Sequence, residues 1–147
     1  MKALVVYDST FGNTEQVAKA IAAGMGPDVD VRAIKASLAD PAAATSVDLL
    51  VVGSPTNAGR PTRPVQEFIK RLPALGAGTR VAAFDTRVPQ RWAAIFGYAG
   101  PRIASSLQAK GGRSLTSPEP FFVDGQKGPL QDGELAKATT WGRRLIE

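Results

Sequence analysis

The sequence predicts an α/β fold, an open and doubly wound sheet of five parallel strands with helices on both faces. Three observations lead there. Apolar runs of strand length recur along the chain, helical periodicities fill the intervals, and turn residues punctuate the junctions. With 147 residues and 44% hydrophobic content the chain can bury one core, so a single domain over 1–147 is expected.

Each element has its own signal. "ALVVY" (3–7), "DLLVVG" (48–53) and "RVAAFD" (80–85) are almost continuously apolar, which suits parallel strands covered on both faces; "VDVRAI" (29–34) completes the first four. A fifth strand is expected within "PEPFFVD" (118–124). After Thr14, Val17, Ile21 and Met25 recur every four residues and define a helix. Val65, Phe68, Ile69 and Leu72 repeat the pattern behind the start signal at Pro64, and Ile103 and Leu107 do so before the glycines of "KGG" (110–112). The last helix begins at Gln131 or Gly133 and carries Leu135, Ala138, Leu145 and Ile146. "ASLADPAAATSV" (36–47) is too short and too interrupted by Pro41 to be a full helix.

Composition removes several chemistries. There is no cysteine and no histidine, which excludes disulfides, thiolate catalysis, iron–sulfur ligation and the usual neutral-pH general base. Redox chemistry would have to be carried by a bound group, and neither a metal site nor a catalytic side chain is expected. No segment approaches the ~20 apolar residues of a membrane span, and the run after Met1-Lys2 is too short for a signal peptide, so a cytoplasmic protein is expected. The net charge of +5 favours anionic ligands or acidic partners. The basic residues are spread over several elements without a nucleic-acid-reading module, so nucleic acid is not an expected partner.

In a doubly wound sheet the ligand lies beyond the carboxyl ends of the strands, which selects the loops 8–14, 54–63 and 85–100. In the first, Ser9, Thr10, Phe11, Gly12, Asn13 and Thr14 sit between a strand and a helix. Backbone N–H groups converge at such a helix start and favour an anion, with hydroxyl and amide donors beside them. The loop has no lysine and no G-x-x-x-x-G-K-[ST] pattern, and G-x-G-x-x-G is missing as well, so a monoester phosphate fits better than a triphosphate or a dinucleotide. The competing structural role is an N-cap by Ser9 or Asn13, with Gly12 shaping the turn.

"KALVVYDSTFGNTEQVAKAIA" resembles the opening of a flavodoxin, where a strand, the loop T/S-x-T-G-x-T and a helix cradle the phosphate of flavin mononucleotide (FMN). Residues 9–14 match that pattern except that Thr10-Phe11 disturbs the usual second hydroxyl. "GSPTNAGRPTRPVQEFI" (53–69) is similar to the second flavin loop of flavodoxin-like domains, which begins S-P-T. The resemblance implies strand order 2-1-3-4-5 and FMN as cofactor, with residues 9–14 at its phosphate. It also implies that Pro55, Thr56, Asn57, Ala58 and Gly59 line one side of the isoalloxazine, a carbonyl near 57–59 accepting a hydrogen bond from the N–H that N5 gains on reduction. Asn57 and Ala58 replace the large inner stacking residue of many members, which leaves the inner face open. In "FDTRVPQRWAAIFGYAGPRIASSL" (84–107), Asp85, Thr86 and Arg87 begin the third loop, and Trp92, Phe96 and Tyr98 are candidates for the outer face, Tyr98 or Trp92 foremost. Lacking the long insertion in the last strand, the chain resembles the short-chain branch.

The function so implied is an FMN-binding electron-transfer protein that exchanges electrons with a redox partner, an acidic one given the charge. Arg60, Arg63, Arg87 and Arg91 are expected at the flavin edge, making the flavin less reducing than in acidic flavodoxins. Two alternatives stand beside the carrier. One is a small FMN-dependent quinone-type reductase, for which Asp85 or Tyr98 would serve as proton donor; the other is a flavodoxin-like binding module that has lost FMN.

Overall fold

The computed structural model describes residues 1–89 and 95–147. In chain order the elements are β1 (Lys2–Tyr7), α1 (Asn13–Gly24), β2 (Asp30–Lys35), a 3₁₀ helix (Pro41–Ser46), β3 (Leu49–Pro55), α2 (Arg63–Arg71), β4 (Arg80–Arg87), α3 (Ala99–Ala109), β5 (Arg113–Ser114), β6 (Glu119–Phe122) and α4 (Glu134–Leu145). All strand pairs are parallel, in the order β2-β1-β3-β4-β5, with β6 also on β4. The fold is therefore the doubly wound α/β sheet expected. The strand expected within 118–124 is β6, which pairs with Phe84 through Arg87, and an additional short strand, β5, precedes it and pairs with Arg80 and Val81, so the fifth position of the sheet is split. Pro118, in the gap between the two, lacks the N–H that a continuous ladder would use. Residues 41–46 form the short 3₁₀ turn in place of a helix, with Asp40 Oδ1 accepting from Ala42 N.

Alternation along the central strands divides the core between the two faces. Leu4, Val6, Leu50, Val52, Val81 and Ala83 meet Val65, Phe68 and Ile69 of α2 and Ile103 and Leu107 of α3. Val5, Tyr7, Leu49, Val51 and Phe84 meet Val17, Ile21 and Met25 on the α1 side and Ala138, Trp141 and Leu145 of α4. Because each strand is covered on both sides, its sequence reads as a continuous apolar run rather than an alternating one. Phe84, Phe121 and Trp141 form an edge-to-face triad with centroids 6.0–6.2 Å apart. On α4 the expected inward residues Ala138 and Leu145 are buried, but Leu135 is exposed, and Trp141 and Gly142 complete the buried face. No described helix is long and apolar enough to cross a membrane.

Candidate functional site

The carboxyl ends of β1, β3 and β4 deliver their loops to one edge of the sheet, and a cavity of about 700 Å³ opens between them. That size lies within the ~300–1,000 Å³ of ordinary ligand pockets. Ser9, Thr10, Phe11, Asn13 and Thr14 form its first wall. Gly12 occupies the N-cap position of α1 at φ 94°, and Ser9 Oγ accepts from the N–H groups of Gly12 (3.1 Å) and Glu15 (3.2 Å). Ser9 thus caps from upstream, and its oxygen marks a point on which amides of the helix start converge. Among the described residues, the N–H groups of Thr10, Phe11, Asn13 and Thr14 have no backbone or side-chain acceptor in the loop. Thr14 Oγ1 lies 2.8 Å from Thr86 Oγ1, a buried hydroxyl pair that ties the first wall to β4. Burial and the Glu15 carboxylate push the Tyr7 phenol, at the end of β1, above its ordinary pKa.

Pro55, Thr56, Asn57, Ala58 and Gly59 form the second wall. Asn57 and Arg60 exchange two backbone hydrogen bonds of 2.9 Å around Ala58 (φ 49°) and Gly59 (φ 82°), a tight turn with both central residues left-handed. Ala58 is costly there, by about 1 kcal/mol, because its Cβ crowds the backbone. Gly59 cannot be replaced, since a Cβ would collide with the Phe96 carbonyl of the third loop. That contact and the Ala99 N–H to Thr56 Oγ1 bond (3.1 Å) fasten the second loop to the third, which is itself tied to α3 by the Arg102 Nη2 to Phe96 O bond (3.2 Å).

Thr86, Arg87, Val88, Phe96 and Tyr98 supply the third wall. Asp85 is fully buried behind it: its carboxylate accepts from Arg87 Nε (2.8 Å), Arg87 Nη2 (2.7 Å) and the Gly100 N–H (2.8 Å) at the start of α3. The Arg87 guanidinium lies 3.5 Å from the Tyr98 ring centroid, a cation–π stack that covers one face of that ring. A fourth wall has no counterpart in the sequence analysis. Val123, Gly125 and Gln126 reach the cavity from the loop after β6, which is pinned by the Val123–Leu130 bridge and by Asn13 Nδ2 donating to the Lys127 carbonyl (3.2 Å).

Most of the expected site residues come together here. Ser9, Thr10, Phe11, Asn13, Thr14, the run 55–59, Thr86, Arg87 and Tyr98 line the cavity. Gly12 shapes the first loop without lining it, Asp85 acts from behind the wall, and Trp92 lies outside the described residues. Of the four arginines expected at the flavin edge, Arg87 lines the cavity. Arg60 and Arg63 do not line the cavity, Arg63 being within 3.9 Å of Glu67; Arg91 lies outside the described residues, and Arg87 is neutralised by Asp85. Asp85, so held, does not face the cavity. Among the described residues the lining contains no carboxylate.

Comparison with known proteins places this architecture. No curated protein sequence matches the chain significantly. The solved structure of a flavodoxin from the domain Archaea is 25% identical, with TM-score 0.82 over 99% of this chain and 96% of its own. Oxidised Flavodoxin 1 from Bacillus cereus gives a TM-score of 0.83 at 18% identity, covering 99% and 97%. A short-chain flavodoxin associated with a non-canonical PDU bacterial microcompartment gives 0.82 at 17%, covering 100% and 99%. The family model for flavodoxin matches residues 5–141, almost the whole chain, and with strand order and loop placement in agreement the chain belongs to the flavodoxin family.

Proposed function

We propose that the chain binds FMN in this cavity and works as a cytoplasmic electron carrier for an acidic partner protein. The observation that carries the reading is the first wall: a helix start with unengaged N–H groups, flanked by Ser9, Thr10, Asn13 and Thr14, beside a mixed apolar and polar cavity of about 700 Å³. These donors fit a monoester phosphate and need no lysine. Residues 56–59 and the aromatics Phe96 and Tyr98 suit the two flanks of a planar ring, Arg87 leaving one face of Tyr98 uncovered. When bound, FMN would supply the electron chemistry; the chain contributes placement and field. Thr56 and Asp85 hold the third loop through Ala99 N and Gly100 N, which fixes the ring-flanking residues relative to the phosphate wall.

A carrier needs no acid or base, whereas a reductase would have to draw on Tyr98, which lines the cavity under the Arg87 guanidinium, since Asp85 is sealed behind the wall in its ion pair and the described lining has no carboxylate. That same lack of negative charge supports a flavin less reducing than in acidic flavodoxins, since the reduced, anionic ring meets no repelling group nearby. Purification followed by a visible spectrum tests the reading. A yellow protein with two flavin bands, retaining FMN after gel filtration, is the expected outcome. A colourless protein that resists reconstitution would identify a module that has lost its flavin, and steady NAD(P)H-quinone turnover would identify an enzyme.

A further inference from the structure

Beside the cavity, α2 and α3 leave a groove of about 430 Å³ whose lining combines Arg60, Lys70, Arg102 and Lys110 with the aliphatic floor of Ile69 and Ile103. No Asp or Glu lines it, and among the described residues none of the four cations has a carboxylate within ion-pair distance. Arg60, Lys70 and Arg102 are exposed. Lys110 is held in place, its Nζ donating to the carbonyls of Lys70 (3.2 Å) and Leu72 (2.8 Å) at the end of α2. Arg102 on α3 and Lys110 at its C-cap are eight residues apart, about 12 Å along the helix axis. At the cavity end, where Arg102 holds the Phe96 carbonyl, Ile95 and Phe96 are 80% and 55% exposed.

An apolar pair at the cavity mouth continuous with a stripe of unpaired cations has the make-up of a protein interface, an apolar centre with a charged flank. Nucleic acid would engage the cations through phosphates but would give Ile95 and Phe96 no apolar counterpart. We infer that the α2–α3 groove, headed by Ile95 and Phe96, is the docking surface for the acidic partner, whose carboxylates lie along the groove and bring its redox centre to the cavity mouth. This rests on the reading of the cavity as the seat of the electron-carrying group.

The test measures binding rather than electron transfer. A fluorescently labelled acidic [2Fe–2S] ferredoxin of plant type, as probe, is titrated with the wild type, with Arg60→Glu/Lys70→Glu, and with Arg143→Glu/Arg144→Glu on α4. Both variants lower the net charge by four, from +5 to +1. At low ionic strength the groove variant is expected to lose roughly tenfold or more in affinity and the α4 variant less than about threefold, with wild-type binding weakening as salt rises. Equal losses in the two variants would overturn the proposal, as would equal affinity for basic cytochrome c, or tighter binding of a DNA duplex lost in the same groove variant. FMN content is assayed separately. Groove-dependent binding by a protein that takes up no FMN would keep the surface and sink the carrier; a flavin-loaded protein with groove-independent binding would do the reverse.

Discussion

Asp85 shows how much can rest on one side chain. Its carboxylate is out of contact with solvent, and its partners are two guanidinium N–H groups and the Gly100 amide. Desolvating such a pair costs several kcal/mol, so the pair adds little net stability, but removing one partner strands a buried charge. Arg87→Leu is expected to lower the unfolding free energy by about 3 kcal/mol in urea denaturation, while Asp85→Leu/Arg87→Leu is milder than the single change. A loss below about 1 kcal/mol for the single variant would refute this account. Tyr7 supplies the pH dependence. Its phenol is held above the ordinary value first by burial and then by Glu15, so the folded state keeps its proton at pH values where the unfolded chain has released it. By linkage that contribution is complete below the unfolded pKa of about 10 and is lost as pH rises toward the folded value. Tyr7→Phe should flatten the fall in stability above about pH 10, and an unchanged alkaline unfolding profile would remove Tyr7 from the explanation.

At the scale of elements, α1 and α4 approach closely through two glycines. A Cβ at Gly24 would collide with the Thr139 carbonyl, and one at Gly142 with the Ile21 carbonyl, so each helix presses its backbone against the other. Alanine would gain about 1 kcal/mol of helix propensity, but the clash is with backbone, and overpacking costs about 1–3 kcal/mol. The clash is expected to win. Gly24→Ala and Gly142→Ala should each destabilise by roughly 1–2 kcal/mol in thermal unfolding, and a stabilised variant would show that the helices can separate freely. Nothing in the sequence periodicity marks this crossing, because a glycine contributes neither an apolar nor a polar beat. The central strands were legible for the opposite reason: burial on both faces makes "LLVV" and "RVAAF" continuous in sequence. The helix faces were less so, Leu135 being exposed and Trp141 inward, since periodicity alone does not choose between neighbouring stripes. The hydroxyl-rich first loop was readable from its local pattern. The fourth wall was not, because Val123, Gly125 and Gln126 carry no chemical signature and their loop is fixed by a contact with Asn13, 114 residues from Lys127. The side-chain positions of Arg60 and Arg63 likewise depend on the turn at 57–60 and the start of α2, which a charge count does not resolve.

For the molecule as a whole, the four walls belong to loops that follow β1, β3, β4 and β6, and they are joined across the cavity by the Asn13–Lys127, Thr14–Thr86 and Thr56–Ala99 side-chain hydrogen bonds, the Gly59–Phe96 contact and the main-chain bonds at the strand ends from Thr56 N to Thr86 O and Val123 N to Arg87 O. A ligand touching all four would therefore tie together segments distant in sequence, and its binding energy would appear as folding stability. At one hundred times its Kd, a ligand that binds only the folded state adds about 2.7 kcal/mol. For a chain of this size each kcal/mol raises Tm by roughly 2–4 °C, so saturating FMN should raise it by roughly 5–10 °C. Riboflavin separates the contributions, since it offers the same ring without the monoester that the helix start is suited to hold. At equal concentration it should shift Tm by less than half as much as FMN, and Thr14→Val, which removes a hydroxyl from the first wall, should bring the two shifts closer together. Equal shifts for FMN and riboflavin in the wild type would locate the binding energy in the ring walls and leave the amides of residues 10–14 as no more than the start of a helix.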